Sequence, residues 1–144
     1  MTETSFLNGR VIKRTLAVIQ GRPGSEAPNL KRLLLAQGEL AQVHNAEKGI
    51  RYLACIELRS GAVRGNHYHE AKEEAIYVIN GEVLLVVEDI VSKERASFPL
   101  KTGELALIPV RIGHAFRTIV AGQGIEWSPG MFDPGDSFTY PLIT

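Results

Sequence analysis

The chain has 144 residues, with sixteen basic and sixteen acidic side chains, four histidines and one cysteine. That length is a single-domain size, burying roughly two thirds of the unfolded surface, and formal neutrality excludes the basic footprint of a nucleic-acid or anionic-membrane binder. A lone cysteine excludes an intrachain disulfide, no stretch reaches membrane-span length, and the first residues lack the apolar run of a secretory signal, so a cytoplasmic protein is expected.

In chain order, residues 1–30 read as a short N-terminal extension. It is a loose start with an extended piece at Val11 to Gln20, followed by a loop built on Gly21, Pro23, Gly24, Ser25 and Pro28. Lys31 to Ala36 fits one helical turn or an apolar strand. From Glu39 onward, short runs rich in Val, Ile, Leu and Tyr recur between Gly, Asn, Asp and Pro, the signature of an all-β sandwich or barrel over 31–144. The runs are Glu39 to His44, Ile50 to Leu58, Ala62 to His69, Glu74 to Ile79, Glu82 to Asp89, Glu94 to Leu100, Glu104 to Pro109, His114 to Val120 and Ile125 to Phe132. The Asn80-Gly81 pair predicts a type I′ hairpin joining the strands that end at Ile79 and start at Glu82. Cys55, inside an apolar run, is expected to be a buried thiol. The Pro- and Gly-rich tail from Ser128 cannot continue a central strand and is expected to wrap the surface or a partner. Trp127, Met131, Phe132, Phe138 and Tyr140 offer an apolar patch that either receives a partner or covers the chain's own barrel.

The chemistry-bearing residues cluster in two stretches. His67 and His69 are two apart, so on an extended strand both imidazoles leave one face with Cβ atoms roughly 7 Å apart. Glu74 follows a short polar break and His114 lies in a second apolar run; together they make an N3O set suited to a transition metal. His44 stands apart and reads as a surface or rim residue.

These residues resemble the cupin superfamily. Its first motif has Gly, five residues, His-x-His, three or four residues, Glu, six residues and Gly, and Gly61, His67, His69, Glu74 and Gly81 fill every fixed position. The spacing to Gly81 selects Glu74 over Glu73. Gly103, Pro109 and His114 match the second motif, over 103–118, with Arg111 where that motif has Gly and Thr118 where it has Asn. The resemblance implies a double-stranded β-helix barrel, jelly-roll-like, holding one divalent transition metal (Fe, Mn, Ni or Zn) on His67, His69, Glu74 and His114. It also implies a homodimer and a small-molecule ligand. At Arg111 a positive φ would strain a non-Gly residue, so Gly113 is expected to take the special conformation; the Arg111 side chain is a candidate for a substrate carboxylate or phosphate.

The string Arg64-Gly65-Asn66-His67-Tyr68-His69 is similar, more narrowly, to cupin-type nucleotide-sugar epimerases and ketoisomerases and to the cupin domain of capsular polysaccharide reductases. That likeness implies His67 as a base and Arg64 as a phosphate contact. Strict alternation points Arg64 away from the His67 face unless a bulge intervenes, and Gly65 is the place for one. Three readings follow. The chain is a metal-dependent enzyme acting on a sugar, keto acid or enol, by isomerase or dioxygenase chemistry. Or it is a metal-free epimerase or isomerase in which His67 abstracts a proton and His69, Tyr77 or Tyr68 returns one. Or it is a non-catalytic cupin that uses its metal to bind a ligand or hold the barrel.

Overall fold

A computed structural model describes residues 1–144. Twelve strands and one 3-10 turn, Pro134–Asp136, make up the ordered elements. No helix is long and apolar enough to cross a membrane. The strands are β1 (Thr2–Phe6), β2 (Val11–Thr15), β3 (Ala17–Gln20), β4 (Lys31–Leu35), β5 (Gly38–Gln42), β6 (Tyr52–Leu58), β7 (Val63–Tyr68), β8 (Glu74–Asp89), β9 (Arg95–Lys101), β10 (Glu104–Ile108), β11 (Ile112–Ser128) and β12 (Phe138–Thr139). The all-β jelly-roll barrel expected from the cupin resemblance is the fold observed.

Two strands, β8 and β11, are long enough to belong to both walls of the barrel. Their Glu74 and Ser128 ends pair in one wall, in the order β1-β2-β10-β8-β11-β6. Their other halves pair in the second wall, in the order β12-β7-β11-β8-β9. A small sheet, β3-β4-β5, lies against the outside of the first wall. Lys31 to Leu35 is therefore a strand. The boundary drawn at residue 30 falls inside this small sheet, and β1 and β2 of the N-terminal segment extend the first wall rather than hanging loose.

Alternation sorts the side chains. On β8, Ile76, Val78, Val83, Leu85 and Val87 enter the main core with Phe98, Leu100, Ile108, Ile112 and Phe116, while Ala75 and Tyr77 face outward with Leu16, Leu105 and Trp127. Burying apolar side chains of this size stabilises the barrel by about 1.5–3 kcal/mol each before conformational entropy is charged.

The predicted hairpin at Asn80-Gly81 does not form. β8 runs straight through, Asn80 keeps a negative φ, and both flanking halves pair with β11 instead. The pair marks a corner at which β8 passes between walls. Asn80 Oδ1 accepts from the Gln123 backbone N–H, and Gly81, at φ 108°, leaves a Cβ no room, since it would meet the Val120 carbonyl oxygen at 2.6 Å. The runs at His114 and Ile125 are likewise one strand, β11.

Cys55 is exposed, contrary to expectation. It sits on the outer face of β6, an edge strand that nothing covers there; its outward neighbour Leu53 is 62% exposed. The tail covers the chain's own barrel. Phe138 stacks on Tyr68, Tyr140 packs over Gly113, Trp127 is buried under the small sheet, and Phe132 stacks on Tyr52, with Met131 left exposed.

Candidate metal centre

A bulge in β7 builds the site. His114 pairs with His67, the next residue Ala115 pairs with Gly65, and Asn66 is the extra residue. Gly65 and Asn66 both take left-handed conformations, φ 92° and 58°. A side chain at Gly65 would meet the His114 carbonyl oxygen at 2.7 Å, so only glycine fits. Asn66 tolerates its φ and fastens the tail: its Oδ1 accepts from the Leu142 and Ile143 N–H groups and its Nδ2 donates to the Ile143 carbonyl. The bulge also turns Arg64. Its register opposite Phe116, a core residue, puts it on the face that carries His67, as the sequence allowed. Arg64 is exposed and makes no ion pair or hydrogen bond within the chain.

His67, His69, Glu74 and His114 converge as the sequence predicts, with one ligand atom from each all within 4.8 Å of one another. Donors bound to one ion at about 2.0–2.2 Å lie at most about 4.4 Å apart, so closure by a few tenths of an ångström suffices. Two of the rings are held from outside. His69 Nδ1 lies 2.6 Å from the Asp136 carbonyl and His114 Nδ1 lies 3.0 Å from the Ile112 carbonyl. An N–H on each Nδ1 leaves the Nε2 lone pair facing inward. The His69 Nε2 is buried without a hydrogen bond, which is costly, and the His114 Nε2 has only the Glu74 carboxylate, 2.9 Å away.

Electrostatics agree. Burial, then the neighbouring His114 and His69, pushes His67 down to about 4, so its ring is neutral and free to donate a lone pair. Burial disfavours the Glu74 charge, but His114, 2.9 Å away, and Lys72, 3.1 Å away, outweigh it and hold the carboxyl well below the usual range. Burial depresses His114, and the Glu74 carboxylate more than offsets it, raising the imidazole. In the metal-free chain these two stand as an ion pair; a bound cation replaces the proton and uses the same lone pairs.

Not every candidate joins. Tyr77 is on the outer face of β8, buried with Trp127 and Leu105, and does not reach the cluster, because it stands an odd number of positions, three, after inward-facing Glu74. Tyr68 also faces outward, stacked on Phe138. Arg111 itself takes the left-handed conformation, φ 61°, and its guanidinium lies 3.5 Å from Glu70 at the surface. Gly113 does not supply the special conformation; it leaves room for the Tyr140 ring. His44 packs its edge toward Trp127 outside the barrel.

The sequence reading missed three groups. Lys72 is almost fully buried, donates to Glu74, and lies 4.1 Å from the Tyr52 ring centre. Tyr52 donates to Glu126 at 3.1 Å. On β11, Glu126 pairs with Ile76, which places it diagonally from Glu74 on the inner face. The signal available was parity: Glu126 alternates with outward-facing Ile125 and Trp127.

A cleft of about 520 Å³ lies elsewhere, on the outer face of the first wall between Trp127, Leu105 and the segment around His44. It shares only Glu74 with the cluster.

The chain matches the family model described as polysaccharide biosynthesis C-terminal domain over residues 36–140. No curated protein sequence matches it. Among solved structures, the Mycobacterium tuberculosis rmlC epimerase superposes with a TM-score of 0.75 at 13% identity, over 96% of this chain and 72% of that one. The dTDP-6-deoxy-D-glucose-3,5-epimerase RmlC from Legionella pneumophila, solved with dTDP-4-keto-L-rhamnose, gives 0.74 at 15% identity, over 96% and 76%. The capsular polysaccharide assembling protein CapF from Staphylococcus aureus gives 0.57 at 24% identity, over 62% of this chain and 26% of that one. At these identities the likeness establishes a shared fold.

Proposed function

This chain belongs to the polysaccharide biosynthesis C-terminal domain family, and from that membership we propose that it epimerises or isomerises a nucleotide-linked keto sugar at a metal centre formed by His67, His69, Glu74 and His114. The reaction class follows the structural relatives, which are epimerases and a 3,4-ketoisomerase. Nothing among them supports dioxygen chemistry. The observation that supports the metal is the convergence of one donor atom from each of the four residues, with the buried His69 Nε2 turned inward by its Nδ1 contact and left without a hydrogen bond, and the His114 Nε2 facing Glu74 at 2.9 Å. A bound cation polarises a carbonyl placed beside it.

Substrate reaches the centre from the side between β6 and β7. Inward-facing residues there are the accessible ones: Arg64 is exposed, and Tyr52, Ala54, His67 and Glu126 are half-buried. Arg64, with no partner of its own, is the group we assign to a sugar-linked phosphate.

A second reading rests on His67. Its ring, unlike those of His69 and His114, has no hydrogen bond to a carbonyl, and at a pKa of about 4 it is a neutral base at physiological pH. In a metal-free enzyme it takes the proton next to the sugar ketone, as the epimerase relatives favour. Elemental analysis of untagged protein separates the two. About one iron, manganese, nickel or zinc per chain supports the first. A chain that stays metal-free after supplementation with all four overturns it in favour of the second.

A further inference from the structure

The three histidines and Glu74 would each give a donor atom to a bound ion, and a histidine so engaged would have no Nε2 lone pair with which to take a proton. Keto-sugar isomerisation and epimerisation both begin by removing a hydrogen from the carbon beside the carbonyl. Of the titratable groups beside the cluster that belong to no ligand set, Lys72 is engaged by Glu74 and Tyr52 donates to Glu126, which leaves Glu126 as the carboxylate. We infer that Glu126, oriented by the Tyr52 hydroxyl, is the proton-transfer group of this enolisation, an assignment that rests on the function proposed above.

The geometry supplies each requirement. Glu126 lies on the β8-β11-β6 wall and His67 on the opposite wall, so a sugar entering between β6 and β7 has the cluster beyond it and Glu126 beside it. Opposite Glu126 on β6 is Ala54, half-buried and with no side chain beyond Cβ, so the β6 residue that faces the carboxylate is a small one. Tyr52 holds Oε1 at 3.1 Å and leaves Oε2 for substrate. Lys72, 4.1 Å from the Tyr52 ring centre, anchors that ring in turn and links it to Glu74. Burial, then the charge of Glu74, raises Glu126 above the usual carboxylate value, which suits a group that both takes and returns a proton.

In the step, the Glu126 carboxylate accepts the proton from the carbon α to the ketone. The C–H electron pair becomes the C=C bond, and the carbonyl π pair moves to oxygen. Return of that proton to the same carbon regenerates the substrate, whereas its delivery from the Glu126 carboxyl to the former carbonyl carbon, with the neighbouring hydroxyl proton passing to the new hydroxyl oxygen, gives the isomeric ketone, so no oxidant or reductant is needed. If the glutamic acid exchanges with solvent between the two transfers, deuterium from D2O enters the sugar.

The test uses dTDP-4-keto-L-rhamnose in D2O, following deuterium uptake beside its ketone by NMR, with probe affinity by calorimetry and metal content on the same samples. Glu126→Gln, nearly isosteric and still able to accept the Tyr52 hydrogen bond, is expected to lose at least about 100-fold in exchange rate while binding probe within about threefold of wild type and keeping its metal. Tyr52→Phe is expected to lose about tenfold. Exchange by Glu126→Gln at the wild-type rate overturns the inference, as does a wild type that binds the probe yet leaves its hydrogens in place. A wild type that never binds the probe sinks the sugar reading and the inference together. Absent metal in a sample that exchanges through Glu126 removes the metal reading alone.

Discussion

The two ends of one barrel interior are built from the same strands and do opposite work. Near the corners where β8 and β11 change walls, the inner face is Leu58, Val78, Val83 and Leu100, each at most 2% exposed. Toward the other ends of those strands it is Glu74, His114 and Glu126, with His67 and His69 delivered by β7 and Lys72 by the connection before β8. A dry plug fixes the fold and leaves the opposite end free to hold charges that no core would tolerate. Such a division implies that emptying the proposed site and losing the fold would be separate events.

The largest effect that would break this division is at the ligands. His114→Ala is expected to lower metal affinity at least about 1000-fold, roughly 4 kcal/mol. Its far-ultraviolet circular dichroism should stay unchanged, because Glu74 keeps Lys72 as a partner. Titration with a competing chelator measures the first quantity. Unfolding of the variant would mean the ion is structural and the two ends are one unit.

The converse substitution is at the plug. Leu100→Ala, at a side chain with no exposed surface, is expected to cost about 3 kcal/mol of stability in urea unfolding. Metal per folded chain should be unaltered. A variant that keeps full stability but loses metal would reverse the assignment of the two ends.

Gly65 joins the two roles, since its bulge belongs to the fold and aims His67 and Arg64. Gly65→Ala puts a Cβ at 2.7 Å from the His114 carbonyl in a left-handed conformation, so about 2 kcal/mol of destabilisation is expected. Because relief of that contact requires β7 to move, metal affinity should fall with stability, unlike in either variant above. Parallel chelator and urea titrations on one sample check the coupling.

Much of this was readable in the chain because ligand spacing and strand parity are local. The His67 and His69 pair, Glu74 against Glu73 and the bulge at Gly65 needed only neighbouring residues and motif distances. The misreadings came from pairings made far along the chain. Asn80-Gly81 carries the right residues for a tight hairpin, yet two long β11 segments compete for both flanks and bend the strand at a corner instead. Tyr77 looked available until β10 and the small sheet covered the outer face of β8, and Cys55 looked buried because nothing in its own run says that β6 is an edge. Lys72, Tyr52 and Glu126 stand on three separate segments, and only the closed barrel brings them beside Glu74.

The smallest effect sharpens the comparison most, because it touches the charged end without touching a ligand. The Asp136 carboxylate accepts from the backbone N–H groups of Glu70, Ala71 and Lys72, and its carbonyl receives the His69 ring. Asp136→Ala keeps the carbonyl and removes the three contacts that hold the turn leading from His69 to Glu74. Loosening such outer support costs metal affinity about tenfold, near 1.4 kcal/mol, whereas the plug, remote from this turn, should leave urea stability of the metal-free protein within about 1 kcal/mol of wild type. Equal affinity in the variant would mean that β7 and β8 alone set the ligand positions. A large loss of stability would mean that the C-terminal segment is part of the core rather than a brace on the centre.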